Sequence, residues 1–261
     1  MASWTQYNKN KCTQNSTANP VTTNILSNAT TTLIVLSVAT TGGTRTGGAP
    51  DVSGYDMIQA GTVESSDEGS VELWYTLNDR IIKSVGLTIN LPNTSSHAIN
   101  TISSSYYTAA GEWAKFTVVD QANGTSAAPS VTVGAFGSTT EVCVVDSMFS
   151  GNDSMLAGGW SNNGTLLYGT DNGTDGNAAQ FNILGGGFHA TSQVMSYTTK
   201  TSDDWCIIGA AFTQTNDPTI RKVNTILYQN ILDWNTTMFG EDTLTKAETV
   251  QELNTVTVPI T

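Results

Sequence analysis

The chain has 261 residues, of which only 12% are charged, and its formal net charge is −12 at pH 7. Lys and Arg together number ten. Recognition of phosphate groups or of an anionic membrane surface needs clustered basic side chains. The composition therefore predicts neither a nucleic-acid partner nor a membrane partner.

The first segment, residues 1–28, is polar and carries the turn signal Asn19-Pro20. It has no apolar stretch of the kind that a secretory signal peptide requires. We expect an extended N-terminal arm over residues 1–28. Such a start is typical of a component that is made in the cytoplasm and released within a particle.

Strand-like segments follow one another over residues 29–218. Residues 33–39 form a short, continuous, β-branched run typical of a buried strand, and residues 71–77 and 85–91 alternate between apolar and polar side chains. Turn signals separate these runs, and no helical pattern interrupts them. The sequence predicts one core domain over 29–218 with an all-β, jelly-roll-like antiparallel β-sandwich.

Gly, Asn and Asp dominate residues 151–177, which we expect to form the longest loop. The tripeptide Asn-Gly-Thr recurs at Asn123, Asn163 and Asn172. Each copy is explained as a turn signal. The sequence therefore predicts no strict internal repeat.

The composition changes after Asp217-Pro218. Apolar residues then fall at the spacing of a short amphipathic helix, and the last residues alternate as an extended strand does. We expect a C-terminal extension over 219–261, a helix plus an arm that could add to the sheet edge of a neighbouring copy. The helix could instead pack on its own sandwich. The candidate assembly residues are Ile226, Leu227, Trp234, Val256 and Val258.

The three cysteines, Cys12, Cys143 and Cys206, are an odd number, so at least one thiol is unpaired. Cys143 and Cys206 lie inside apolar strands and are expected to be buried thiols. No cysteine or histidine spacing indicates a metal site.

Catalytic motifs are missing from the sequence. His97 and His189 have no protease or metal context, and no GxSxG elbow occurs. We predict that the protein is not an enzyme. A sandwich-fold glycan hydrolase is an alternative, which requires two carboxylates facing each other across a cleft. The candidate carboxylates are Glu64, Asp67, Glu68 and Glu72, or the pair Asp203 and Asp204.

The stretch from Asp171 to Asp175 is the one candidate metal loop. Oxygen-rich loops with glycine can wrap Ca²⁺, but the spacing does not match an EF-hand. Consecutive Asn-Gly and Asp-Gly turns explain the stretch without metal. We predict no cofactor, with Ca²⁺ as the alternative.

Three aromatic residues, Trp160, Tyr168 and Trp113, are candidate carbohydrate contacts. Aromatic rings in loops can stack on sugar rings, and Trp160 has neighbouring amides that could bind hydroxyl groups. The alternative is that these rings cap the sandwich or lie at a subunit contact.

Several strand motifs follow one another in a recognisable order. They are LIVLSVAT, VELWYTLND, VGLTINL, EVCVVDSMF and QVMSYTTKTSDDWCIIGAAF. This order resembles a β-sandwich domain of tailed-phage virion proteins and bacterial surface proteins, over roughly residues 25–213. The Trp74-Tyr75 pair and the segment from Ser196 to Trp205 carry most of the resemblance. The proline-rich turn of that family is absent at residues 78–80.

The resemblance implies a structural role in a virus particle. We expect a non-enzymatic virion protein of a bacteriophage, either a capsid decoration protein or a tail component, assembled in the host cytoplasm. Its partners would be copies of itself and other shell or tail proteins. The alternative is a carbohydrate-binding adhesion module on a tail fibre or cell surface, with a host surface glycan as partner.

Overall fold

The computed structural model describes residues 4–11, 16–65, 69–78, 81, 86–108, 113–136, 141–151, 155–160, 165–169, 176–184, 192–199 and 201–215. These residues form β-strands joined by turns and loops, and no α-helix occurs among them. The first half of the described chain contributes β1 (Thr5–Lys11), β2 (Val21–Ile25), β3 (Thr31–Thr41), β4 (Asp51–Val52), β5 (Tyr55–Asp56), β6 (Ile58–Glu64), β7 (Gly69–Leu77), β8 (Leu87–Leu91) and β9 (Ile99–Tyr107). The second half contributes β10 (Trp113–Ser126), β11 (Ser130–Gly134), β12 (Val142–Ser150), β13 (Met155–Trp160), β14 (Thr165–Gly169), β15 (Gly176–Leu184), β16 (Ser192–Thr199) and β17 (Asp203–Thr215).

The strands form four sheets, and every pairing between them is antiparallel. The first outer sheet has the order β2-β8-β4-β5, and the first inner sheet has the order β1-β9-β3-β7-β6. The second inner sheet has the order β10-β17-β12-β15-β14, and the second outer sheet has the order β11-β16-β13.

Three apolar cores lie between these sheets. The central core joins the two inner sheets through residues such as Leu73 and Phe212. The first outer core joins the first inner and outer sheets, and the second outer core joins the second inner and outer sheets. The unit that ends at Thr215 is therefore a stack of four layers, in which each inner sheet is covered on both faces.

Burial on both faces explains the apolar runs of the sequence. All nine residues of β12 are buried, and eight of the nine residues of β7 are buried. A strand covered on both sides cannot alternate, because each of its faces packs against a core. The outer strand β2 alternates between buried and exposed residues, since its outer face is open.

The strand order repeats between the two halves. If the β4–β5 hairpin is counted as one strand, each half has eight strands, numbered here from the start of that half. In both halves the inner sheet then has the order 1-8-3-6-5 and the outer sheet has the order 2-7-4. This is the arrangement of a jelly roll whose fifth strand has moved to the inner sheet. The predicted all-β, jelly-roll-like sandwich is confirmed, with the refinement that two such sandwiches are stacked.

One local prediction is made more specific by the structure, and one differs from it. The described residues of the predicted N-terminal arm over 1–28 include β1, which pairs with β9, and β2, which pairs with β8, so this part of the arm lies in the sheets. The alternation of buried Val21 and Ile25 with exposed residues explains why β2 joins the first outer sheet. Residues 151–177 were expected to be a loop but contain β13 and β14, where the buried Leu167 reaches the central core.

The chain up to Thr215 is one compact unit. The predicted C-terminal helix and arm over 219–261 lie outside the described residues. They remain predictions, as does the domain boundary at 218.

Candidate assembly surfaces

The structure separates two of the predicted carbohydrate contacts. Trp113 begins β10 and Tyr168 lies in β14, which are the two opposite edge strands of the second inner sheet. Four strand spacings separate these edges by roughly 19 Å. Both side chains are half-buried, and Tyr168 packs against the central core. These two rings therefore do not form one sugar platform.

Other predicted sites are described only in part or not at all. Trp160 ends β13 in the second outer sheet, where its backbone lies opposite Tyr197. The candidate calcium residues and assembly residues lie outside the described residues; they are Asp171, Asp175, Ile226, Leu227, Trp234, Val256 and Val258. Within the described ranges, no group of three or more His, Cys, Asp or Glu side chains could hold a metal ion.

The central core contains a contact between equivalent positions of the two halves. Ser37 on β3 lies opposite Ile102 on β9, and Ser147 on β12 lies opposite Ile208 on β17. The Ser37 and Ser147 hydroxyl groups hydrogen-bond to each other across the core. A contact between equivalent residues marks the axis of a twofold interface. We therefore place a pseudo-twofold axis at this pair of serines.

Aromatic rings repeat on both sides of this axis. Tyr75 and Phe181 are equivalent, because each lies opposite the residue two positions before the axial serine. Tyr106 and Phe212 are equivalent, because each lies opposite the residue four positions before the axial serine of its own half. The Tyr75 ring meets the Phe212 ring edge-on at 5.4 Å, and the Phe181 ring meets the Tyr106 ring edge-on at 5.5 Å. The two contacts are therefore equivalent to each other, as in a symmetric dimer.

The sheet edges are joined by hydrogen bonds between equivalent strands, although not between equivalent residues. Lys9 on β1 donates a hydrogen bond from Nζ to the Leu166 carbonyl oxygen on β14, at 3.0 Å. Asn123 on β10 donates one from Nδ2 to the Glu64 carbonyl oxygen on β6, at 2.9 Å. Strands β1 and β10 hold equivalent places, as do β14 and β6. At each edge of the two inner sheets, a side chain of one half therefore hydrogen-bonds to a backbone carbonyl of the other half.

The first outer core contains a buried ion pair that the sequence pattern does not predict. Arg45 follows β3, and its guanidinium donates from Nη2 to Glu72 Oε2 at 2.8 Å and from Nε to Glu72 Oε1 at 3.1 Å. The two side chains are only 2% and 4% exposed. Trp74 Nε1 donates to the same carboxylate at 2.7 Å. A charged Glu72 inside an apolar strand was the signal for this pair, because such a residue needs a partner.

The Arg45 guanidinium also fixes the loop that precedes β4. Its Nη1 donates to the carbonyl oxygens of Pro92 and Gly48. The guanidinium carbon lies 5.9 Å from the centre of the Trp74 ring, within the range of a cation–π contact. The loop over residues 42–50 is thus tied to the first inner sheet by Arg45 and also by Ser70 on β7, whose hydroxyl donates to the Gly43 carbonyl oxygen at 3.2 Å.

The second outer core buries a carboxyl group among neutral partners. Tyr197 on β16 donates its hydroxyl hydrogen to Asp146 Oδ1. Gln180 on β15 donates to the same carboxyl group from its backbone nitrogen at 2.9 Å and from Nε2 at 3.1 Å. Burial raises the pKa of Asp146 from its ordinary 3.8 to about 7, although these hydrogen bonds act in the opposite direction. The network links the second outer sheet to the second inner sheet.

The two described thiols are buried, as the sequence predicts. Cys143 lies in β12 and Cys206 lies in β17, and neither forms a disulfide. Burial raises the pKa of the Cys206 thiol to about 12 and raises that of Cys143 further. Both groups therefore stay protonated at neutral pH, which makes them poor nucleophiles.

The outward faces of the outer sheets are polar and uncharged on β2, β8, β11 and β16. Alternation directs hydroxyl and amide side chains outward from these strands, with one apolar exception, Val194, which is 49% exposed. The exposed polar residues are Thr22, Asn24, Thr88, Ser130, Thr132, Ser192 and Thr198. Such faces offer hydrogen bonds that depend little on ionic strength, because no charge is involved.

No protein-family model, curated protein or solved structure matched this chain. The described part of the chain contains no helix that could cross a membrane.

Proposed function

We propose that this chain is a non-enzymatic structural protein of a virus particle, a capsid decoration protein or a tail component of a tailed phage. It assembles with copies of itself and with other shell or tail proteins. The C-terminal segment over 219–261 supplies the docking element.

The observation that carries this proposal is the stacked pair of jelly rolls. The charged groups of Arg45 and Glu72 and the carboxyl group of Asp146 are enclosed between sheets, where each holds layers together. The outer sheets present hydroxyl and amide groups toward solvent. A body of this kind is suited to repeated contacts in a particle, where many weak contacts act together through multivalency.

The low density of charge also supports a structural role. With a net charge of −12, the chain repels packaged nucleic acid and stays soluble. The glycan-binding alternative needs an exposed aromatic platform. Trp113 and Tyr168 lie on opposite edge strands and do not supply such a platform together, so this alternative depends on Trp160 with Tyr168.

The test is the solution mass, measured by light scattering, of the full chain and of a fragment over residues 1–215. The fragment starts at residue 1 because β1 and β2 belong to the sheets. We expect defined oligomers for the full chain and a monomer for the fragment, with the same β-sheet circular dichroism for both. Monomers in both cases would contradict assembly through the C-terminal segment.

A pair of matched variants sharpens this test. Val256→Asp with Val258→Asp places two charges on the apolar face of the alternating segment. Thr255→Asp with Thr257→Asp adds the same charge to its other face. We expect the first variant to be monomeric and the second to keep its oligomers, because strand addition buries one face of the added strand. Equal loss of oligomers in both variants would show a general charge effect.

A further inference from the structure

We propose that the two halves of the described unit pair as the subunits of a symmetric dimer do. The inner sheet of each half is a docking surface whose occupant is a second jelly roll of the same topology. In this chain the other half supplies that occupant. This inference does not depend on the proposed role in a virus particle.

The first support is a β-bulge at the same place in each half. In β1 the extra residue is Tyr7, which follows the residue opposite Tyr106. In β10 the extra residue is Thr117, which follows the residue opposite Phe212. Since Tyr106 and Phe212 are equivalent, the two first strands bend at the same register. Bulges are specific features of a strand. The two halves therefore agree in the residue register of their first strands as well as in strand order.

A second pair of bulges agrees in the same way. Ala60 is the extra residue of β6 and directly follows Gln59, which lies opposite Trp74. Leu167 is the extra residue of β14 and follows the residue opposite Gln180. Trp74 and Gln180 are equivalent, because each directly precedes one of the equivalent rings Tyr75 and Phe181. Both edge strands of each inner sheet therefore match in register.

A further pair of equivalent residues donates hydrogen bonds across the interface, although to acceptors that are not equivalent. Gln6 lies opposite Tyr106, and Phe116 lies opposite the equivalent Phe212. Trp4 and Ala114 are therefore equivalent, because each lies two residues before one of these positions. The Trp4 backbone nitrogen donates to Glu141 Oε2 of the second half at 3.0 Å. The Ala114 backbone nitrogen donates to Asn78 Oδ1 of the first half at 2.9 Å. Equivalent donors thus reach across the interface in opposite directions.

The halves are joined by side chains and not by a shared sheet. Among the described strands, every pairing stays within one half. The covalent connection between the halves is the short segment 109–112, between β9 and β10. The cohesion of the described unit therefore rests on the central core and on the side-chain hydrogen bonds around it, as in a dimer of separate subunits.

The test is cleavage of the full chain at this connection. A protease site is inserted at 109–112, and the uncut variant, checked by circular dichroism and light scattering, is the control. We expect the cut protein to show two fragments on a denaturing gel while keeping the native mass of the uncut control. We also expect the fragments, unfolded in denaturant and diluted together, to recover that mass.

The opposite result is well defined. If the cut fragments separate or precipitate under native conditions, the central core does not act as a docking surface between two equivalent units, and the inference is overturned. A second variant guards against a poorly tolerated insertion. In it the protease site is flanked by Gly-Ser spacers, and the same two outcomes apply.

Discussion

The first half of the molecule buries an ion pair between its inner and outer sheets, whereas the second half buries a carboxyl group with neutral partners. Glu72 lies on β7 and receives a guanidinium from a loop, while Asp146 lies on β12 and receives hydrogen bonds from Tyr197 and Gln180. Both clusters tie an outer sheet to an inner sheet. The same strand plan thus accepts two different solutions, because each outer core is separate from the other.

The largest expected effect comes from breaking the ion pair. Arg45→Met leaves the Glu72 carboxylate buried without its cation, and we expect a loss of about 3–5 kcal/mol in the free energy of unfolding. Denaturant unfolding followed by circular dichroism measures this loss. The control is the double variant Arg45→Met with Glu72→Met, which should lose less than Arg45→Met alone. A double variant that is the less stable of the two would contradict this account of the cluster.

The second half should show a dependence on pH. The folded protein holds the Asp146 proton up to about pH 7, while the unfolded chain releases it near 3.8. The folded state therefore binds more protons in this window, and the stability contributed by this group falls as pH rises from about 4 to about 7. The effect is on the order of a few kcal/mol.

The measurement is the difference in unfolding free energy between wild type and Asp146→Asn at several pH values. Asparagine does not titrate, so we expect the wild type to lose stability relative to the variant across this window and to change little above it. A constant difference from pH 4 to pH 8 would contradict the burial-driven rise in the pKa of Asp146. Arg45→Met should leave this pH dependence in place, because Arg45 belongs to the other half.

A smaller effect is expected at Gly209, where β11 of the second outer sheet packs against the second inner sheet. A Cβ atom at Gly209 would lie 2.4 Å from Cγ2 of Val133 on β11. We expect Gly209→Ala to cost about 1–3 kcal/mol through overpacking. Gly86→Ala is the matched control, because nothing lies within 4 Å of a Cβ atom there. Equal stability of the two variants, measured by thermal unfolding, would show that the sheets can move apart without cost.

Much of the fold was predictable from local patterns. The apolar run at 33–39 gave a buried strand, since a continuous β-branched run bounded by turns has few other structures available. Cys143 and Cys206 were predicted to be buried for the same reason. The strands β13 and β14 were missed, because the Gly and Asn residues around them dominate the composition and tertiary packing decides their pairing.

The pairing of the two halves was not predictable from the sequence. A few equivalent positions keep their residue type, as Ser37 and Ser147 do, but others share only burial: Leu36 corresponds to Asp146, and Trp74 corresponds to Gln180. A core accepts different side chains if volume and polarity are satisfied locally, so a repeat in topology leaves little repeat in sequence. The partner of Glu72 was hidden for a related reason, since Arg45 lies 27 positions away in a loop.

The measurement that tests the central claim most directly is a pair of double-mutant cycles across the central core. Tyr75 with Phe212 and Tyr106 with Phe181 are each replaced by Ala, singly and together, and the free energies of unfolding are measured. The two cycles should give similar coupling energies of about 0.5–1.5 kcal/mol, because the ring contacts are related by the pseudo-twofold axis. Phe212 with Leu91 of the first outer core is the reference pair and should be additive within about 0.5 kcal/mol. Coupling at only one of the two ring pairs, or at neither, would contradict the symmetric pairing of the two halves.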